Sequence, residues 1–171
     1  MTIDIVAQAV GLVASSIIIF ACTNKSDNRF KFFIMLGSAV FACHYFLLGA
    51  YAGAAVNVVN SLRTGLSIKF NKSNAVMTFF IVLYLSIGAF TIEQWYDALP
   101  IFSGVVTTFA MYKLSGILLR SCMLASSLSW LTYDFIFRSI GGVMTEMFVQ
   151  TTNLITMYRI HRDGKKNEQN T

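Results

Sequence analysis

A chain of 171 residues that is 56% hydrophobic, 14% aromatic and 12% charged, with a single proline, is too poor in charge to cover a folded surface in water, where about 25% of residues are charged. Its mean hydropathy of +0.63 points instead to a bilayer. Each crossing takes roughly 20 apolar residues, so seven crossings leave no room for a soluble catalytic domain.

In chain order, apolar stretches cover 5–22, 31–49, 53–70, 75–91, 97–112, 117–137 and 141–160. Short polar or glycine-containing breaks separate them. Glu93, Gln94, Asp97 and Pro100 keep the fourth and fifth stretches apart, because charge is costly in a membrane interior. The first stretch opens Met1-Thr2-Ile3-Asp4, without the basic start of a secretory signal. It is expected to remain in the mature protein.

Lysine and arginine orient such a chain, since basic residues stay on the cytoplasmic side. Lys25, Arg29, Lys31, Lys69, Lys72, Lys113, Arg120, Arg159, Arg162, Lys165 and Lys166 fall at breaks or ends of one parity. The other parity holds Arg138 with Asp4, Glu93 and Asp97. The N-terminus is therefore expected outside and the C-terminus inside. The net charge of +5 is spread thinly over four segments, without the clustered basic surface that nucleic acid requires. Cys22, Cys43 and Cys122 are odd in number and lie in or beside apolar spans, which gives no disulfide framework. No Cys-x-x-Cys or His-rich spacing supports a metal site, and no cofactor is implied. Gly-x-Ser-x-Gly, His-Glu-x-x-His and phosphate-loop patterns are missing, so an enzyme is not expected. The last span also lacks the lysine that a retinal-type receptor needs.

A shift of 88 positions pairs Met35-Leu36 with Met123-Leu124, Ser38 with Ser126, Tyr45 with Tyr133, Gly53 with Gly141, Thr64 with Thr152 and Leu66 with Leu154. Each half has one span, a basic break, then two spans joined by a tight outer turn, at 49–53 and 138–142. The expected fold is all-α and polytopic: seven transmembrane helices as two parallel three-helix repeats joined by a linker helix. The first repeat covers 1–70, the linker 71–96, the second repeat 97–160 and a cytoplasmic tail 161–171. This 3+1+3 layout is similar to that of the SWEET transporters, which bind solute near the midplane between their repeats.

Polar side chains inside spans are candidates for function because they are costly unless they face the bundle interior. His44, Asn57, Asn60 and Arg63 fall in the first half, and Asp134, Glu146, Gln150 and Asn153 in the second. Asn57, Asn60 and Arg63 share one helical face, as do Glu146, Gln150 and Asn153. Two such faces would line one cavity, with Asn60 and Asn153 near the midplane. The same amides also join helices by hydrogen bonds. Arg63 either snorkels to the cytoplasmic interface or binds an anionic group. Asp134 either serves the cavity or pairs with Arg138, four residues on. Protonation of His44, Asp134 or Glu146 would couple a proton to transport, whereas hydrogen bonding would fix their state. Tyr45, Trp130 and Tyr133 offer rings that would stack on a solute or pack the core, while Trp95 suits the outer interfacial belt.

His44-Tyr-Phe-Leu-Leu-Gly49, Asn60-Ser-Leu-Arg63 and Ser139-Ile-Gly-Gly142, followed by Glu146, Asn153 and Arg159, resemble the YgjV-like family of bacterial inner-membrane proteins over nearly the whole chain. That resemblance implies the bacterial inner membrane and a place near the SWEET and PQ-loop group, hence a solute carrier. The chain departs from the SWEET pattern in lacking the hinge prolines and the Pro-Gln pair, since Pro100 stands alone. The expected function is transport of a small polar solute by alternating access around a polar midplane cavity, with the lipid bilayer as surroundings. The alternative is a non-transporting scaffold or sensor that uses the small-residue faces Ala7/Gly11 and Gly11/Ser15 to bind partner helices. A homo-oligomer is compatible with either.

Overall fold

The computed structural model describes residues 2–22, 27–70, 73–114 and 116–169. Among them are seven α-helices and no strand: α1 (Thr2–Cys22), α2 (Asp27–Leu47), α3 (Tyr51–Lys69), α4 (Asn74–Thr91), α5 (Ala98–Lys113), α6 (Gly116–Ile136) and α7 (Ile140–Gln169), with a 3-10 turn at Trp95–Asp97 before α5. The expected all-α fold is present, each helix beginning within a few residues of its apolar stretch. Lys25 and Lys72, used above to orient the chain, lie outside the described residues. Helix α7 runs past the expected span end into the charged tail, where Lys, Glu and Gln are good helix formers.

The distribution of side chains is inverted relative to a water-soluble domain. Phe46, Phe90, Leu118, Phe135 and Tyr158 are exposed, whereas His44, Asn57, Ser103, Thr108, Ser127, Asp134 and Asn153 are buried. A surface of this kind suits hydrocarbon, and polar groups removed from it must find partners inside. Asp4–Ala21 and Asn74–Thr91 are each long and apolar enough to cross a membrane unaided.

The break between α4 and α5 falls where Glu93, Gln94, Asp97 and Pro100 stand. Asp97 is buried because its Oδ2 accepts the Glu93 and Gln94 N–H groups at 3.2 and 2.9 Å. Pro100 sits in the first turn of α5, where a helix has no use for its missing N–H.

The turns after α2 and α6 are built alike. In the first, the Gly49 N–H donates to Phe46 O at 3.1 Å and the Ala50 N–H to Tyr45 O at 2.9 Å; in the second, the Arg138 N–H donates to Phe135 O at 3.3 Å and the Ser139 N–H to Asp134 O at 2.9 Å. Both are Schellman closures, with a left-handed residue at the pivot: Gly49 at φ 74° and Arg138 at φ 52°. Corresponding positions are 89 residues apart, one more than the shift read from sequence identities. Identities between two apolar helices arise by chance, whereas the number of residues in a closed turn is fixed by its hydrogen bonds.

Helix α2 packs between α1 and α3, and α6 between α5 and α7; α1 meets α7, α3 meets α5, and α4 lies against α3 and α5. Six helices therefore close a ring with α4 outside it. The α1/α7 seam is the tighter, because glycine meets glycine. A Cβ on Gly141 would stand 2.4 Å from the Gly11 carbonyl carbon and oxygen. Ser15 Oγ donates to the Gly141 carbonyl there, and Thr145 Oγ1 donates to Ser15 Oγ at 2.8 Å. The small-residue face of α1 is consumed in this seam: Ala7 and Ser15 are buried, and Gly11 lies against the His44 ring. The expectation that Ala7, Gly11 and Ser15 receive a partner helix is corrected accordingly.

Candidate functional site

Of the eleven expected site residues, six line one cavity of about 130 Å³ inside the ring: Tyr45, Asn57, Asn60, Trp130, Asp134 and Glu146. At roughly 30 Å³ each, about four waters would fill it. Phe41, Ser38, Ile18, Gly142 and Thr145 complete its wall. Three pairs of lining residues lie 89 positions apart, the separation of the two turns: Phe41 and Trp130, Tyr45 and Asp134, and Asn57 and Glu146.

Tyr45, Asp134, Glu146, Asn57 and Asn60 hold side-chain hydrogen bonds. The Tyr45 hydroxyl donates to Asp134 Oδ1 at 2.5 Å, and Ser127 Oγ donates to Glu146 Oε2. Asn57 Nδ2 donates to the Gly53 carbonyl of its own helix at 3.0 Å, and Asn60 Oδ1 accepts the Tyr84 hydroxyl at 2.6 Å. Tyr45 stacks between Phe41 and Trp130, with centroid separations of 5.8 and 5.5 Å and interplanar angles of 25° and 29°. The cavity wall thus combines aromatic rings with two carboxylates. Asp134 is taken by Tyr45 and not by Arg138, whose backbone turns in the left-handed region and whose carbonyl accepts Gln8 Nε2 at 2.7 Å.

The other five expected residues stand apart from this cavity. His44 is fully buried with Nδ1 2.7 Å from the Ala7 carbonyl and Nε2 2.7 Å from Ser139 Oγ. A carbonyl only accepts, so Nδ1 carries a hydrogen, and Nε2 shares the second bond with the Ser139 hydroxyl. Ser139 Oγ also accepts the Gly142 N–H at 3.0 Å, capping α7. Tyr133 accepts the Gly53 N–H at 3.0 Å, which satisfies a first-turn donor of α3 and points its hydroxyl into the helix junction. Arg63 neither snorkels nor faces the cavity; its Nη1 donates to Thr108 Oγ1 at 2.6 Å and Thr107 Oγ1 at 3.3 Å, joining α3 to α5, with the Tyr84 ring 6.0 Å away. Asn153 follows Ile140 by thirteen positions, about 20 Å along α7, and its Nδ2 donates to the Arg120 carbonyl at 2.8 Å, near the end of α6 remote from the Arg138 turn. Gln150 is half-buried, and its Nε2 has no hydrogen-bond partner among the described residues.

Sequence reasoning missed Tyr84, which it left on a linker helix. Phe80, Tyr84 and Gly88 recur every fourth residue and are the buried face of α4, a period visible in the sequence. It also missed the hydroxyls of Ser38, Ser127 and Thr145, which do not stand out because serine and threonine are common in membrane helices. Ser103 and Ser126, 2.6 Å apart between α5 and α6, belong to the same class.

A family model described as Imp-YgjV, bacterial inner membrane protein, matches residues 5–164. Inner membrane protein YgjV of Escherichia coli (strain K12) is 34% identical over 167 residues, which covers 96% of this chain and 91% of that protein. No solved structure matches.

Proposed function

For a chain that belongs to the Imp-YgjV family of bacterial inner membrane proteins, we propose transport of a small polar solute by alternating access around the central cavity. One observation carries this proposal: the cavity is walled by three pairs of residues, Phe41/Trp130, Tyr45/Asp134 and Asn57/Glu146, each separated by the same 89 positions as the two matching turns. A carrier made of parallel repeats holds its solute between them, near the midplane. Helices α1–α3 and α5–α7 are the two repeats in this scheme, as in the SWEET layout, and α4 is the linker. All seven helices cross the bilayer, with the N-terminus outside by the distribution of lysine and arginine. Asn60 begins nine positions after Tyr51, about 14 Å into α3, which matches a half-thickness of the hydrocarbon core. In the absence of hinge prolines, motion is assigned to whole triplets turning about their seams, with α1/α7 as the close-packed one.

The test is thermal unfolding of the purified protein in mild detergent against a metabolite panel at about 10 mM, since a solute at 100 times its Kd adds about 2.7 kcal/mol. A saturable, solute-specific rise that Asn60→Leu abolishes, followed by uptake into proteoliposomes, is the expected outcome. A solute whose effect and flux are unchanged in Asn60→Leu would remove the cavity from the transport path.

A further inference from the structure

The charges around the cavity do not balance. Its wall includes two carboxylates, Asp134 and Glu146, and among the described lining residues no lysine, arginine or histidine. The cation of the same helix layer, Arg63, is committed to Thr107 and Thr108 on α5. Each carboxylate accepts one hydroxyl, from Tyr45 and from Ser127, and these donors are neutral. Asp134 is fully buried and its Oδ2 has no hydrogen-bond partner. A buried carboxyl group without a counter-charge gives up its charge by taking a proton, and a bound cation would let it ionise. The same wall includes Phe41 and Trp130, aromatic rings of the kind whose faces attract an organic cation and whose surfaces exclude a strongly hydrated metal ion.

From this juxtaposition, and resting on the cavity being a solute site, we infer that its ligand is a small organic cation of the ammonium class. The ammonium group is held between the Asp134 and Glu146 carboxylates, and its alkyl substituents lie against Phe41 and Trp130. A volume of about 130 Å³ limits the cation to a few heavy atoms.

The sequence has two tryptophans, so Trp95→Phe leaves Trp130 as the only indole and its fluorescence as a local reporter. The full-length protein in nanodiscs would be titrated with methylammonium and tetramethylammonium chloride, with sodium chloride and tert-butanol as ionic and neutral controls. A saturable change with an ammonium probe that the controls lack is expected, and Glu146→Gln or Asp134→Asn should weaken the apparent affinity at least tenfold. Where one carboxylate variant does not fold, the other serves. A folded protein with no saturable response, an equal response to sodium or tert-butanol, or unchanged affinity in the carboxylate variants would overturn the inference. A neutral solute from the panel that depends on Asn60, with the ammonium probes silent, would overturn it while leaving transport standing. Ammonium binding without uptake into proteoliposomes would support it and remove transport.

Discussion

Replacing Gly141 by alanine tests the α1/α7 seam directly. The new Cβ would lie 2.4 Å from the Gly11 carbonyl carbon and oxygen and 2.9 Å from the Leu12 nitrogen, whereas carbon atoms rest at about 3.5–4.0 Å. These neighbours are backbone, so no side chain can turn aside, and the helices must part by about 1 Å. Overpacking costs about 1–3 kcal/mol. The Ser15 and Thr145 hydroxyls, bonded to each other and to the Gly141 carbonyl, would lose geometry worth roughly 0.6 kcal/mol per interhelical bond. A destabilisation of about 2–4 kcal/mol is therefore expected. Reversible unfolding in mixed micelles would measure it, with Met144→Ala, on the exposed side of the same helix, as a control that changes little. If Gly141→Ala stayed within about 0.5 kcal/mol of the parent, backbone contact between α1 and α7 would be refuted.

Three further outcomes are expected. Arg63→Ala and Thr108→Ala should be coupled by about 0.6–1.7 kcal/mol in a double-mutant cycle, the range for hydrogen bonds between membrane helices; additive effects would mean that the 2.6 Å contact contributes nothing. Arg138→Gly should leave stability level or raise it by up to about 1 kcal/mol, because relief of left-handed strain, about 1–2 kcal/mol, exceeds the backbone entropy that glycine adds, about 0.5–1 kcal/mol; a fall would show that the Arg138 side chain holds the turn. Tyr45→Phe should destabilise by about 1–3 kcal/mol by leaving both oxygens of buried Asp134 without a donor, read in the same unfolding assay; an unchanged midpoint would show that this hydroxyl is not needed.

Helix number and extent were legible because hydropathy is a property of local sequence. The break at Glu93–Pro100 was equally clear, since charge and proline both disfavour a continuous span there. The cavity was legible in part. Asn57, Asn60, Asp134 and Glu146 were found because amides and carboxylates are conspicuous among apolar residues. Their partners were not, because whether His44 faces a solute or the Ala7 carbonyl depends on how α1 crosses α2, which no spacing within α2 reports. Asn153 was expected in the cavity, and its bond to the Arg120 carbonyl was hidden for a related reason: it depends on how α7 lies against α6. Tyr84 illustrates the remaining case, in which a helix taken as a connector supplies a buried hydroxyl through a four-residue period.

The bond between Tyr45 and Asp134 joins the residues that stand four positions before the two left-handed pivots, Gly49 and Arg138. Two identical subunits meeting about a twofold axis would bring like to like at that point, two phenols or two carboxylates, and neither pair is complementary. Covalent continuity frees the two positions to differ. The residue before one turn then supplies the donor and that before the other the acceptor, and the same separation of 89 positions sets an indole beside a phenyl ring and a carboxylate beside an amide around one cavity. A single chain can thus keep two turns of one build while giving the space between them a polarity that no symmetric pair could have.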